Sequence, residues 1–380
     1  MIRNHAIKVS VQATYDAYLQ RQVSHYQDYL AGRVDATIGG DMEVAEAPTR
    51  TIGNREAAAA LGLEVGATPS REAIARIGCG CHAETGVPIT GRDRSRDGQR
   101  TAYQDLVFSV PKSVSVEFAA ARAHGDELRA QQLIGAMTQS VEAALDHFAE
   151  LIPLGRRRVG KEGLRVAVPA KVVSLMDVHS AARPVAGQTS GDPQLHVHTR
   201  LLNLGLQPDG EVASVNYWML YQNVRGLNGL FEAAMRTRLE DLGYRTVDSS
   251  HGERRRWSSF ELEHQDEKLS ARLSSRQDRI ESLVEREWDR RAAELLASLQ
   301  MTGAVQVGVG LPARPIVALT DRQRALCKPM PRDVAVLSRA SREQKLATTR
   351  AQLAEEWLVV IDAFGYYHQP SVLATPGCRS

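Results

Sequence analysis

The sequence predicts an α+β fold, a largely antiparallel central sheet covered by helices, with a helical C-terminal region. Three observations carry that reading. Residues 5–11 (HAIKVSV) alternate apolar and polar side chains, the mark of a half-buried strand. Strand-like and helix-like stretches alternate along the rest of the chain. Two strands within 194–217 are joined only by a turn at Pro208-Asp209-Gly210, which makes them antiparallel neighbours and disfavours a doubly wound parallel sheet.

After the first strand, residues 13–32 read as a helix that carries Tyr15, Tyr18, Tyr26 and Tyr29 and ends at Gly32. Residues 33–55 are turn-prone, and 55–66 (REAAAALGLEVG) form a glycine-ended helix. The Gly, Arg and Asp of 78–100 indicate a loop or short hairpin. Residues 102–120 begin as a strand, break at Pro111 and enter a helix after Ser113; 125–150 keep helical periodicity. One or two strands occupy 164–179, the hairpin 194–217, and a helix 229–244. From about 258 the pattern is helical and charged, looser over 302–320.

With 380 residues, 43% hydrophobic and 24% charged, the chain can bury a substantial core and reads as soluble and globular. The net charge of +2 conceals two basic clusters, GRRRVGK (155–161) and ERRRW (253–257), which permit nucleic-acid contact without demanding it. Cys79 and Cys81 form a C-x-C, but Cys327 and Cys378 lie far off without ligand spacing, so neither a disulfide framework nor a four-cysteine site is indicated. No stretch has signal-peptide or membrane-spanning character, so the expected location is cytoplasmic, with no membrane insertion. The absence of G-x-x-x-x-G-K-[ST] excludes a Walker-type motor.

The stretch GDPQLHVHTRLLNL (191–204) sets His196 and His198 two apart in an apolar run. In a strand both rings point to one face, while Leu195, Val197 and Thr199 point to the other. An H-x-H alone is weak evidence for a metal, since hydrogen-bonded polar histidines are the commoner reason for it. His179, ending the apolar run VVSLMDVH, supplies a third imidazole on a candidate neighbouring strand. Three neutral imidazoles leave coordination positions open, which suits catalysis better than a closed structural site. Such a cation can neutralise charge that builds on a phosphate during displacement.

That displacement needs a nucleophile. Tyr15 and Tyr18 are three apart, as are Tyr26 and Tyr29, so each pair shares a helical face. The pairs serve either as aromatic packing or as phenols that attack a phosphodiester and store its bond energy as phosphotyrosine.

In order, the chain shows a first strand, the tyrosine helix, DLVFSVPKSVSVEF (105–118), a lone histidine and DPQLHVH (192–198). This succession resembles the relaxase domain of TrwC/TraI-type conjugative proteins, the MobF class of HUH endonucleases. DLVFSVPKSVS is similar to the family's D-L-T-F-S-x-P-K-S-V-S, and DPQLHVH to its D-P-Q-L-H-T-H. The likeness extends to FEAAMRTRLEDLGY (231–244), to LSSRQDRIE (273–281) and through the C-terminal helices.

The resemblance implies a palm-like sheet and specific roles. His179, His196 and His198 match the metal-binding histidines; Asp105 matches the acidic residue that activates the tyrosine or orients a ligand histidine. Arg183 and Lys112 stand where DNA contacts are expected. The implied cofactor is a divalent metal ion, Mg²⁺ or Mn²⁺, with Zn²⁺ as an alternative. The implied partners are single-stranded and hairpin DNA at a transfer origin, with accessory relaxosome proteins, a separate helicase and a coupling protein as candidates. The implied reaction is nicking of one strand by a tyrosine, retention of the 5′ end as a phosphotyrosine, and later rejoining.

Three features depart from the family pattern. Adjacent tyrosine doublets are replaced by Y-x-x-Y pairs. Tyr18 and Tyr26 are the favoured nucleophiles, because their separation matches that of two catalytic tyrosines in one branch; Tyr15 is the rival. The loop between His179 and His196 is longer than usual, an insertion surface loops accept cheaply. Most relatives continue into a helicase, whereas the sequence here ends at Ser380, as a stand-alone relaxase or the amino-terminal piece of a longer one. The expected division is a relaxase domain over 1–300 and a mainly helical extension over 301–380, a candidate DNA clasp. Competing readings are a rolling-circle replication initiator, a degenerate origin-binding protein, and a zinc hydrolase using metal-bound water.

Overall fold

A computed structural model describes residues 3–10, 46–89, 99–160, 162–182, 184–185, 188, 190–249, 259–305, 318–330, 333–334, 336–337 and 350–367. The chain runs β1 (Arg3–Ser10), β2 (Arg50–Gly53), α1 (Arg55–Ala60), α2 (Arg71–Gly78), β3 (Gln99–Ser109), α3 (Lys112–Ala123), α4 (Glu127–Leu151), β4 (Gly155–Val159) and β5 (Leu164–Val168). It continues through β6 (Lys171–Ala181), β7 (Pro193–Leu206), β8 (Val212–Ala213), α5 (Tyr217–Asp241), β9 (Thr246–Ser249), β10 (Ser259–Leu262), α6 (Glu267–Arg272), α7 (Ser275–Val305), α8 (Asp321–Leu326) and α9 (Arg350–Ala363).

The central sheet has the order β1–β3–β7–β6–β2, every pairing antiparallel, and β8 joins the far end of β7. The expected antiparallel α+β class is therefore correct. Its two central strands, β6 and β7, are buried on both faces, which is why their sequences read as near-continuous apolar runs. One face, with Leu106, Phe108, Met176, Val178, Leu195 and Val197, packs on α3, α4 and α5, where Phe108 meets Phe231 edge-on at 5.3 Å. The opposite face divides in two. Toward the β8 end, Tyr103, Leu175, Leu202 and Leu204 pack against Ala57, Ala58, Ile74 and Ile77 of α1 and α2. Toward the other end the same face carries acids, histidines and an arginine.

Several boundaries differ from the sequence reading. The helix expected over 55–66 stops at Ala60, because Gly62 adopts a left-handed φ of 72° that a side chain resists. The helix expected from 229 starts at Tyr217: its buried Leu220, Leu227, Phe231, Met235 and Leu239 keep one face, but Gly226 and Gly229 disguise the first half. Residues 155–159 of the first basic cluster form strand β4, paired with β5. The β9–β10 hairpin and α2 go beyond what the periodicity shows.

The C-terminal helix α9 docks on α3 through Leu353, Trp357 and Ile361, with Trp357 edge-on to Phe118 at 6.4 Å. The tyrosine helix expected at 13–32, the basic stretch 253–257 and Arg183 lie outside the described residues. Among the described residues, no helix is long and apolar enough to cross a membrane.

Candidate metal centre

Two neighbouring strands supply three imidazoles. His196 and His198 share one face of β7 because they are two apart, and His179 of β6 is the direct cross-strand partner of His196. His198 then lies on the diagonal from His179. The ring centroids are 5.1–5.4 Å apart, and one ligand nitrogen from each ring lies within 4.8 Å of the others. His179 is fully buried and His196 nearly so, while His198 keeps partial exposure.

The donor chemistry fits a cation. Nδ1 of His198 lies 2.9 Å from a carboxylate oxygen of buried Asp105, and Nδ1 of His196 lies 2.7 Å from the Gln194 carbonyl. Both acceptors require a protonated Nδ1, so in each neutral ring the Nε2 lone pair is the ligating position. The Asp105 carboxylate fixes that tautomer and raises the basicity of its imidazole. Together with a nitrogen of His179, these two suit a divalent metal ion and leave coordination positions for other oxygens.

Below the triad, the same face carries an ion pair that the sequence reading passed over. Arg200, two beyond His198, donates to Asp177, two before His179, at 2.6 Å; both side chains are fully buried. Thr49 donates to the other Asp177 oxygen, and the guanidinium stands 5.9 Å from the Tyr103 ring. Spacing of two in HVHTR and in LMDVH was the available signal. Tyr103 shares this face, but burial pushes its phenol upward, which unfits it as a nucleophile.

Lys112 opens helix α3 beside the entrance to β7. Expected as a DNA contact, it turns inward: Nζ donates to the Pro193 carbonyl at 2.7 Å and to the Leu273 carbonyl. Burial pushes Lys112 down to about 8, against the opposing pull of Asp192 and Glu261. Of the other expected site residues, the structure brings together His179, His196, His198 and Asp105; Tyr15, Tyr18, Tyr26 and Arg183 fall outside the described residues.

A second charged feature lies at the opposite end of the sheet. Arg156, Arg157 and Arg158 of β4 and Arg165 of β5 line a basic pocket with Ala213 and Ser214. Arg157 pairs with Asp209 in the β7–β8 turn, and Trp218, 65% exposed, stands in the first turn of α5 close by in sequence. β8 pairs with Gly205 and Leu206, so this pocket is separated from His196 by roughly 30 Å of strand.

A family model described as TrwC relaxase matches residues 12–362. No curated protein matches the chain. Among solved structures, conjugative relaxase TrwC in a metal-free complex with OriT DNA is similar at 19% identity and a TM-score of 0.63, covering 97% of this chain and all of that one. The metal-bound complex of the same relaxase gives 20% and 0.63 over the same shares. TrwC with a 27-mer DNA comprising the recognition hairpin and the cleavage site gives 19% and 0.62, again with 97% and 100% covered.

Proposed function

The chain belongs to the TrwC relaxase family, and we propose that its histidine triad and N-terminal tyrosines nick and rejoin one strand of DNA at a conjugative transfer origin. The observation that carries this reading is the convergence of His179, His196 and His198, with Asp105 on His198. When bound there, a divalent cation supplies positive charge against the scissile phosphate. Mg²⁺ or Mn²⁺ is the proposed working ion; Zn²⁺ competes because an all-imidazole set favours it.

The phenol of Tyr18 or Tyr26, with Tyr15 as rival, loses its proton and attacks phosphorus. An O–P bond forms to tyrosine, the P–O3′ bond breaks, and the 3′ oxygen leaves as a hydroxyl after gaining a proton. Attack by a 3′ hydroxyl on the phosphotyrosine reverses the sequence and reseals the strand.

The arginine pocket on β4–β5 with exposed Trp218 is the proposed grip on the origin hairpin, through phosphate contacts and stacking. Arg183 remains a proposed contact to the DNA backbone. Residues 301–380 are the proposed clasp, with α9 already docked on α3 in support. The partners proposed beyond DNA are accessory relaxosome proteins, a separate helicase and a coupling protein, all acting in the cytoplasm.

The test is a labelled single-stranded oligonucleotide carrying the origin, incubated with the protein and Mg²⁺ or Mn²⁺ and run on a denaturing protein gel. A covalent adduct lost in Tyr18→Phe is expected, and loss only in Tyr15→Phe moves the nucleophile. His196→Ala should abolish the adduct while keeping most of the DNA affinity, since phosphate contacts elsewhere supply it. Cleavage without an adduct in any background would replace this reading with metal-assisted hydrolysis, and binding without cleavage would replace it with an origin-binding protein.

A further inference from the structure

The entrance to β7 is fastened from three helices at once. Lys112, the first residue of α3, holds the Pro193 carbonyl at 2.7 Å and, with the same ammonium, the Leu273 carbonyl just beyond α6. Three residues along α3, the Ser115 hydroxyl accepts from the Leu195 amide at 3.1 Å. Ser275, which opens α7, donates to Asp192 at 3.3 Å and accepts from the Gln188 side chain at 2.9 Å. From α9, the Trp357 indole donates to the Gly191 carbonyl at 3.1 Å. Gly191 itself admits no side chain, because a Cβ there would meet the Ala182 carbonyl oxygen at 1.7 Å. Thus PKSVS, DPQLHVH and LSSRQ, far apart in sequence, meet at one point just upstream of His196.

The sheet reaches this entrance with a shifted register. Between β6 and β7 the register is regular from Ser174↔Leu201 to His179↔His196, then shifts before Ala181↔Pro193. The last regular rung is therefore the histidine pair itself; beyond it the sheet keeps the shifted Ala181↔Pro193 rung, the Ala182 amide on the Asp192 carbonyl at 2.8 Å and the Val110 amide on the Leu195 carbonyl at 3.3 Å, and the helix contacts add to these. A slip of one residue would carry His196 and His198 to the opposite face. Simple packing does not require an ammonium here, since burying one is costly and an apolar side chain of similar length would fill the space. What the ammonium adds is direction, toward two carbonyls on separate elements.

We propose that Lys112 is a positioning residue for the metal-binding strand, holding the Pro193 end of β7 against α3 and the α6–α7 junction so that His196 and His198 meet His179. The inference rests on the metal-centre reading above. It predicts that changes at Lys112 act on metal geometry without touching a ligand or the DNA.

The experiment compares the full chain with Lys112→Met, Ser275→Ala and His196→Ala. The readouts are Mn²⁺ affinity by calorimetry, the Cu²⁺ electron paramagnetic resonance spectrum, and affinity for a single-stranded oligonucleotide against salt concentration. Lys112→Met is expected to lower Mn²⁺ affinity about 10- to 100-fold, the range seen when support of a ligand is removed. It should also alter the Cu²⁺ spectrum and leave DNA affinity and its salt slope unchanged. Ser275→Ala should shift both metal readouts in the same direction by less. Wild-type Mn²⁺ affinity and spectrum in Lys112→Met overturn the proposal, and a salt slope reduced by the equivalent of about one phosphate would return Lys112 to the DNA. Should Lys112→Met fail to fold, unaltered metal readouts in Ser275→Ala and in Asp192→Asn overturn it instead. If the unmodified chain binds Mn²⁺ no better than His196→Ala, the metal-centre reading falls first.

Discussion

Asp105 and His198 meet on a diagonal of the sheet: the carboxylate lies 2.9 Å from Nδ1 although its directly paired neighbour on β7 is Arg200. The register thus places one acid between an imidazole it orients and an arginine that belongs to the layer below. Asp105→Asn keeps the volume and removes the charge that fixes the tautomer. Its Mn²⁺ affinity should fall about 10- to 100-fold, with oligonucleotide affinity retained. Calorimetry on the metal-free protein reads this directly; an affinity equal to the wild type would show that the carboxylate does not support the ligand.

Beneath that layer, Arg200 and Asp177 form a fully buried pair flanked by Thr49. Removing one partner strands the other charge in the interior, so Arg200→Met or Asp177→Leu should each destabilise the fold by about 3–5 kcal/mol. The double variant Asp177→Leu/Arg200→Met removes both charges and should recover much of that loss. Urea denaturation of the four proteins gives the cycle. Additive losses would mean the two side chains do not depend on each other.

The triad was legible because strand periodicity is simple: two imidazoles two apart share a face, and a third ending an apolar run is placed by antiparallel pairing. The same rule, carried two residues further, reaches Arg200 and Asp177. They escape a reading of the sequence because a buried ion pair and a surface charge look identical there. The two carbonyl partners of Lys112 were hidden for a related reason, since they lie 81 and 161 residues away and only the tertiary fold brings them near. The basic run 155–161 disclosed charge but not strand β4, because three successive arginines obscure the alternation of exposed Arg156 and Arg158 with half-buried Arg157.

That hairpin leads to a prediction about DNA. Arg156, Arg158 and Arg165 are exposed in the pocket, whereas Arg157 is held by Asp209. Alanine at any of the three exposed arginines should weaken binding to a hairpin oligonucleotide and reduce the salt slope by roughly 0.9 for each phosphate no longer neutralised. Arg157→Ala should do less. Cleavage of a short oligonucleotide without the hairpin should stay at the wild-type rate, because the pocket is remote from the triad. Fluorescence anisotropy at several salt concentrations measures the slope, and an equal loss on both oligonucleotides would place the arginines elsewhere in the mechanism.

Lys112 also predicts how stability varies with pH. Burial holds it down to about 8, below its ordinary value, while Asp192 and Glu261 pull the other way; Asp192 is itself pushed upward by burial. Below the folded-state value both folded and unfolded chains carry the proton, and the full penalty of burying the charge is present. As pH rises from about 8 toward the unfolded value of about 10.4, the folded chain releases its proton while the unfolded chain keeps it. The unfolded state then binds more protons, so this lysine makes stability rise with pH across that window. Lys112→Met has no such group. The stability of the wild type minus that of the variant should be flat up to about pH 8 and then climb by at most about 1.4 kcal/mol per pH unit. Denaturant titrations at pH 7, 8, 9 and 10 measure the difference, in which the other titrating groups cancel. A difference independent of pH would mean that the ammonium is solvated rather than enclosed between the Pro193 and Leu273 carbonyls.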